Sequence, residues 1–333
     1  MTDEIKMAHG GGGVLMQELI TRQIIPTLGA AGSSELSDSA KIDLPGVSLA
    51  FTTDSFVVWP LIFPGGDIGR IAVCGTVNDL AARDAKPLAL SLSLIIEEGF
   101  PLEILRKILT SVAQAADEAE VKVVTGDTKV VEKGSAHGLF INTSGVGLMR
   151  QDIDFTFERI VTGDVIIING PIGDHGIAVM SIREGISFAS SVKSDVAPLS
   201  EMVARVIDKC GAAVKCMKDP TRGGLAANVN EMAQNVGFVL DQQAIPIRPE
   251  VEGACDLLGL DPLTVANEGK MILIVSPDAA VQVLKILQGH PLGQGAAIIG
   301  YADDKKGLVR MKTTIGGERI IEIPYGQELP RIC

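Results

Sequence analysis

Buried-type apolar runs alternate with helix-period segments along the whole 333-residue chain, and that alternation confines it to a mixed α/β (α+β) architecture. HGGGG (9–13) opens a helical pattern over 14–28. VSLAFTTD (47–54) reads as a buried strand ending on acid, GDIGRIAVCGTVNDLAARDA (66–85) as a helix, and LALSLSLII (88–96) as a strand of period two. Pro101 stands at the start of a helix whose face is Leu105, Ile108, Leu109 and Val112. VKVVTGDTKVV (121–131) predicts strand, acidic turn and strand, and GLFINTSGVGLM (138–149) a further strand. Beyond a polar linker at 151–163, DVIIING and segments 271–275, 296–301 and 308–312 predict strands. Segments 199–211, 223–236 and 278–287 predict helices, and the Ser-rich 187–198 a surface loop. The reading gives domains at 1–155 and 156–322, then a flexible tail at 323–333 kept out of helix by Pro324, Gly326 and Pro330.

Composition excludes several classes of function. A net charge of -12 disfavours nucleic acid, whose backbone is met by clustered Lys and Arg, and a single Trp leaves no broad stacking platform. The sequence has no apolar run of membrane-spanning length, and its first residues lack the apolar core of a signal peptide. The expectation is a cytoplasmic protein. Five cysteines without CxxC pairs form neither a disulfide framework nor a zinc site. Cys74, Cys210, Cys216 and Cys255 read as core residues, whereas Cys333 stands at the end of the extended tail.

No GxxxxGK[ST] phosphate loop is present. Acids instead recur at strand ends and turns: Asp54 in TTDS, Asp79 in VNDLA and Asp127 in GDTK. Such oxygen ligands suit Mg2+, which takes a few carboxylates along with nucleotide phosphates. The glycine run Gly10–Gly13 after His9 can turn backbone amides towards phosphate, and Lys129, next to Thr128, can neutralise a transferred phosphoryl group.

In this order, the glycine-rich start, TTDS, VNDLAARDAKPLAL and TGDTKVV resemble the ATP-binding half of the aminoimidazole ribonucleotide synthetase (PurM-like) superfamily. KDPTRGGLAANVNEMA resembles an element of that superfamily's second half. The resemblance covers nearly the whole chain and implies a two-domain PurM-like fold, ATP held with Mg2+, and homodimers formed through the first domains. Within the superfamily, the ending EIPYGQELPRIC, with HGGGG, KDPTRGGLA and VANEGK, is similar to the HypE family of hydrogenase maturation.

That resemblance implies a reaction. A HypF-type carbamoyltransferase loads the Cys333 thiol, ATP activates the carbamoyl oxygen, water is lost, and cyanide passes from the thiocyanate to iron on a HypC–HypD scaffold. Nine residues beyond Pro324 reach up to about 30 Å, enough to present a thiol outside and draw it back. The resemblance implies Glu268 of the NEGK turn as base and His137 as second candidate, with Lys129 and Asp79 completing a charged network. It also sets Asp219, Thr221, Gly223 and Gly224 towards nucleotide or tail. His175 and His290 are given no role. The rival readings are a PurM-like small-molecule phosphotransferase or synthetase that does not use Cys333, and an iron metallochaperone, disfavoured by the lack of paired Cys or His ligands.

Overall fold

The computed structural model describes residues 4–28, 37–185, 192–326 and 331–333. Two sheets organise them. Strands β1 (Ala40–Leu44), β2 (Val47–Phe56), β5 (Ala85–Glu97), β6 (Lys122–Val131) and β7 (Leu139–Met149) form a five-stranded sheet in the order β1-β2-β7-β5-β6. All neighbours are antiparallel except β5 and β6. A hairpin of β3 (Ile62–Phe63) and β4 (Gly66–Asp67) stands apart.

The second sheet contains β8 (Val165–Ile168), β9 (Val214–Lys218), β10 (Gly237–Asp241), β11 (Ile272–Val275), β12 (Ala297–Asp303), β13 (Val309–Lys312) and β14 (Glu318–Ile320), ordered β14-β13-β10-β12-β8-β11-β9. Its central runs, Ile166 to Ile168 and Ile272 to Val275, are wholly buried, so they read as continuous apolar stretches.

The helices are α1 (Val14–Leu19), continued through one π turn to α2 (Ile25–Leu28), then α3 (Ile68–Ala82), α4 (Leu102–Glu118), α5 (Asp174–Arg183), α6 (Ser200–Cys210), α7 (Gly224–Met232), α8 (Pro249–Leu258) and α9 (Pro277–Gln288). None is long and apolar enough to cross a membrane. Helix α3 is apolar almost all round because it is covered by the first sheet and α4 on one side and by α6 and β9 on the other. It therefore links the two sheets, and Asn78 makes the join polar: its Nδ2 donates to the carbonyls of Ala197 (3.1 Å) and Glu268 (3.2 Å), and its Oδ1 accepts from Leu199 N–H (2.8 Å).

Three local expectations change in the fold. Helix α3 begins at Ile68, two residues later than its pattern suggests, because the Asp67 carboxylate caps the amides of Gly69 (2.8 Å) and Arg70 (3.0 Å). Segment 122–131 is one strand, without a turn at Asp127. Gly126 marks a close approach: a Cβ there would lie 2.1 Å from the Leu92 carbonyl oxygen of β5. The Ser-rich segment lies partly outside the described residues, yet Val192, Val196 and Ala197 at its end are buried. It is packed against the protein there.

The expected tail is likewise held wherever it is described. The amides of Val14 and Leu15 donate to the carbonyls of Pro324 (2.9 Å) and Tyr325 (3.2 Å). Val57 N–H donates to the Cys333 oxygen and Trp59 N–H to the Arg331 carbonyl, both at 3.1 Å, so the last residues pair with the chain just beyond β2. Ile332 is 4% exposed and joins the first core.

Gly69 sets the approach of α3 to α4, since a Cβ there would meet the Ile108 carbonyl oxygen at 2.6 Å. Alanine ordinarily gains about 1 kcal/mol over glycine in a helix. Here a backbone oxygen cannot rotate away, and overpacking of about 1–3 kcal/mol outweighs that gain. Gly69→Ala should lower the urea midpoint of unfolding; an unchanged or higher midpoint contradicts this packing.

Candidate functional site

An acid-lined cleft between the two sheets opens where β2, α3, β9 and the turn before α7 converge. Its cavity of about 280 Å³ is lined by Asp38, Asp54, Asp79, Asp219, Glu268 and Cys333, among others. Ligand oxygens of Asp38, Asp79 and Asp219 all lie within 4.8 Å of one another. Each comes from a separate element: Asp38 from the segment before β1, Asp79 from the last turn of α3, and Asp219 from just after β9. Thr52 Oγ1 ties the first two together, its one hydrogen shared between Asp79 Oδ2 (2.7 Å) and the Asp38 carbonyl (2.9 Å).

Confining these charges has an electrostatic cost. Burial, then the charges of Asp54, Asp219 and Asp38, raise the Asp79 pKa well above the usual carboxylate range. Burial and Asp38 do the same to Asp219. One partial answer is Lys218, 5% exposed, which bonds Asp38 and lies 3.4 Å from Glu231. Burial works against its charge, but Asp38 and Glu231 outweigh that and raise its pKa. A hard divalent cation is the other answer. The donor set is all oxygen and carries several negative charges, which fits Mg2+.

Glu268 is 3% exposed, with Oε1 buried and without a hydrogen-bond partner. Burial, followed by the charges of Asp219, Asp195 and Asp54, raises its pKa well above the usual value. Its turn is built with little freedom. Asp195 Oδ1 accepts from Glu268 N–H (3.1 Å) while Oδ2 accepts from Lys270 Nζ (2.8 Å). Asn267 accepts from Gly173 N–H (2.8 Å) and donates to the Pro220 carbonyl (2.9 Å), locking together three turns. A Cβ at Gly269 would lie 1.8 Å from the Asp195 carbonyl oxygen, so this position excludes a side chain.

Cys333 enters the same cleft. Burial pushes its thiol up to about 12, opposed by the cation of Arg222. The docked thiol is therefore neutral, and Arg222 rather than Arg331 is the cation that faces it. A second cavity of about 480 Å³ shares Ser55, Arg222 and Cys333 with the first and is flanked by His9, Gly10 and Gly11. The cleft thus has two approaches to one sulfur.

The sequence-expected residues divide into three groups. Asp54, Asp79, Asp219, Thr221, Glu268 and Cys333 all line the main cavity, as does Gly12. The glycines act by close packing. A Cβ on Gly12 (φ 77°) would meet Arg222 at 2.6 Å, one on Gly223 (φ 74°) would meet the Gly12 carbonyl oxygen at 2.9 Å, and one on Gly13 would meet the Pro324 oxygen at 2.2 Å. With the Val14 and Leu15 amides already donated to the tail, this run seats the tail and the DPTRGG turn more than it cradles phosphate. Gly224, at φ 60°, begins α7 beside the Leu263 and Val265 carbonyls.

Asp127, Thr128 and Lys129 lie elsewhere, exposed on β6, with Lys129 Nζ bonded to both Asp127 oxygens (2.6 and 2.7 Å). This chain does not bring them to its own cavity. His137 stacks on Trp59 (centroids 3.9 Å apart) and bonds Arg331, outside the cavity lining. Asp38, Lys218, Arg222, Asn78 and His175 carried no expected role. Lys218 and Arg222 flank the DPT triplet in sequence, which was their only signal.

Fold and cleft together define a two-domain enzyme of the AIR synthase related class. The description "AIR synthase related protein, N-terminal domain" matches residues 36–149, and "AIR synthase related protein, C-terminal domain" matches residues 161–312. The chain is 48% identical over 332 residues to carbamoyl dehydratase HypE of Bradyrhizobium diazoefficiens, covering 99% of this chain and 96% of that protein. The solved HypE–HypF complex contains a chain with TM-score 0.86 and 44% identity, covering 94% of this chain and all of that one. HypE solved in complex with ATP gives a TM-score of 0.83 at 40% identity, over 99% of this chain and all of that one. The chain belongs to the HypE family of carbamoyl dehydratases.

The crowded acids generate a prediction for the ligand-free protein. Asp79→Asn keeps an oxygen to accept from Thr52 but removes one of the mutually repelling charges. Because the folded state disfavours the charged carboxylate, the substitution should raise the melting temperature at pH 7–8 in the presence of EDTA. It should also abolish the thermal shift produced by Mg2+ with ATP. A lower melting temperature in EDTA rejects the electrostatic account of the cleft.

Proposed function

We propose that this chain uses ATP to dehydrate a carbamoyl group carried on Cys333, yielding the thiocyanate that supplies cyanide for hydrogenase iron. The observation that carries the reading is the meeting of Cys333, Glu268 and the acids Asp38, Asp79 and Asp219 around one small cavity. A tethered substrate needs its carrier atom and its base in the same enclosure, and here both line it.

Asp38, Asp79 and Asp219 are the residues that would hold Mg2+, with Asp54 beside them. Bound there, it would supply positive charge against the phosphates during transfer. Arg222 faces both the sulfur and Asp54, at 3.9 Å from the latter, and supplies positive charge between carrier and nucleotide. The carbamoyl oxygen attacks the γ-phosphorus of ATP and ADP leaves. One nitrogen proton is lost as the C=N bond forms. Loss of the second completes the nitrile as phosphate departs, so that ATP hydrolysis drives the net removal of water. Glu268 is the base for these protons. Its buried, unpartnered Oε1 is free to accept, and a raised pKa makes the carboxylate a stronger proton acceptor than a solvated one.

Loading takes place with the tail presented outside, where the active site of another enzyme can engage the sulfur. A HypF-type carbamoyltransferase is the donor, consistent with the solved complex of a relative, and a HypC–HypD scaffold is the acceptor of cyanide. The reaction belongs in the cytoplasm, where ATP and these partners meet.

A homodimer completes the arrangement. Strand β6 is an edge strand along which Val124 (64% exposed) and Val130 (68%) face out, a combination that invites pairing with another strand. Joining two chains there removes the edge and carries Asp127 and Lys129 towards the partner. Val124→Lys combined with Val130→Lys should yield monomers by light scattering; persistence of the dimer moves the interface elsewhere.

Two experiments test the chemistry. Intact mass spectrometry with carbamoyltransferase, carbamoyl phosphate and ATP should show one carbamoyl group on Cys333 and then the loss of one water. Cys333→Ser should show neither, and an adduct that persists with ATP refutes the mechanism. In single turnover, dehydration should rise with pH through an apparent pKa above the ordinary glutamate range, and Glu268→Gln should abolish that limb. A flat profile assigns the proton to another group.

A further inference from the structure

The described end of the tail is held from two sides. The last three carbonyls do not all point one way. Those of Arg331 and Cys333 accept from the amides of Trp59 and Val57, whereas the carbonyl of Ile332 points the other way. There it meets His175 Nε2 at 2.9 Å. We propose that His175 is a positioning residue of the dehydration step, a latch that donates one ring N–H to the Ile332 carbonyl and fixes Cys333 in the cleft. This rests on the reading of Cys333 as carrier.

The latch is fixed in its own tautomer. A carbonyl oxygen only accepts, so Nε2 carries the hydrogen and Nδ1 accepts from Ser194 Oγ at 2.8 Å. Ser194 is itself anchored by its N–H to the Pro64 carbonyl (2.8 Å). The imidazole is fully buried, and Phe63 packs edge-on to it with centroids 5.4 Å apart. Burial depresses its pKa, outweighing the nearby charge of Asp195, so the ring stays neutral.

His175 also connects tail docking to the turn that bears Glu268. It sits in the first turn of α5, whose preceding Gly173 N–H is held by Asn267 and whose Gly176 N–H donates to the Ala266 carbonyl (3.1 Å). Through Ser194 it adjoins Asp195, which holds Glu268 N–H. It does not line the cavity around the sulfur, so it acts on geometry and not on the reacting atoms. The two amide bonds from Val57 and Trp59 are main-chain contacts open to any sequence. The histidine adds a buried side-chain donor on the opposite side of the tail from Arg331, whose Nε donates to the Val57 carbonyl and which also bonds His137.

The full-length protein tests this with two readouts. The first is the rate at which iodoacetamide alkylates Cys333, with buried Cys74, Cys216 and Cys255 as reporters of unfolding. The second is single-turnover, ATP-dependent loss of water from S-carbamoyl Cys333. His175→Leu fills the volume without a donor and should speed Cys333 alkylation about tenfold, as expected for one lost hydrogen bond. Dehydration should slow by a similar factor, while loading by the carbamoyltransferase is undiminished. His175→Gln, which restores an N–H at similar reach, should recover most of both. Wild-type alkylation and dehydration rates in His175→Leu overturn the latch. So does failure of His175→Gln to recover either rate while the three buried thiols stay unreactive.

If the leucine variant exposes those thiols, Ser194→Ala decides. Faster Cys333 alkylation with the buried thiols still protected supports the latch, and an unchanged rate overturns it. The alkylation arm needs no turnover, so a carbamoyl group that never dehydrates, even in the wild type, refutes the proposed reaction and leaves the latch separately judged.

Discussion

The structure depends on confining several carboxylates where water cannot screen them. Asp38, Asp79, Asp219 and Glu268 crowd one small cleft, with Lys218 and Arg222 as the basic side chains lining it. A chain that only needed stability would not place acids so. In the proposed site a divalent cation would offset this buried charge of one sign and join it to the anionic nucleotide. The surrounding architecture follows from that demand. Helix α3, buried on nearly every face, is rigid enough to carry Asp79 into the cleft, and Asn78, one residue before it, joins the segments before α6 and β11 by three hydrogen bonds.

The proposed reaction adds a second constraint, that a covalently tethered substrate must travel. The tail is held by a handful of hydrogen bonds, one buried isoleucine and the close approach of Gly13. That set is small enough to be broken and remade in each cycle, unlike the extensive packing of either sheet. Docking also lifts the sulfur's pKa, so the inserted thiol is protonated and inert until it carries an acyl group. Enclosure thus serves twice, protecting a free carrier and excluding water from a reaction whose purpose is to remove it.

Much of the fold was legible because its elements are strongly patterned. The period-two run at 88–96 and the helix face from Leu105 to Val112 both fold as their spacing predicts, within β5 and α4. Errors cluster where glycine and aspartate have two meanings. Gly126-Asp127 has the composition of a turn, yet it continues a strand because the glycine fits against β5. HGGGG has the composition of a phosphate cradle, yet its Gly12 and Gly13 are also required by contacts with Arg222 and Pro324, more than two hundred residues away. Local sequence cannot distinguish these cases, since the deciding atoms are remote in the chain.

By itself the sequence determined the alternation of elements, the ordered acids and the tail that ends on a thiol, because each is written in short-range spacing or composition. Only tertiary structure decided which acids of one chain share a cleft, setting Asp38 beside Asp79 and Asp219, and which cation faces the sulfur. It also gave a partner to His175, a residue that reads as an ordinary helix-start histidine until the tail carbonyl is seen against it. Charge proximity and hydrogen-bond closure are properties of points in space, and folding brings together points that the sequence keeps apart.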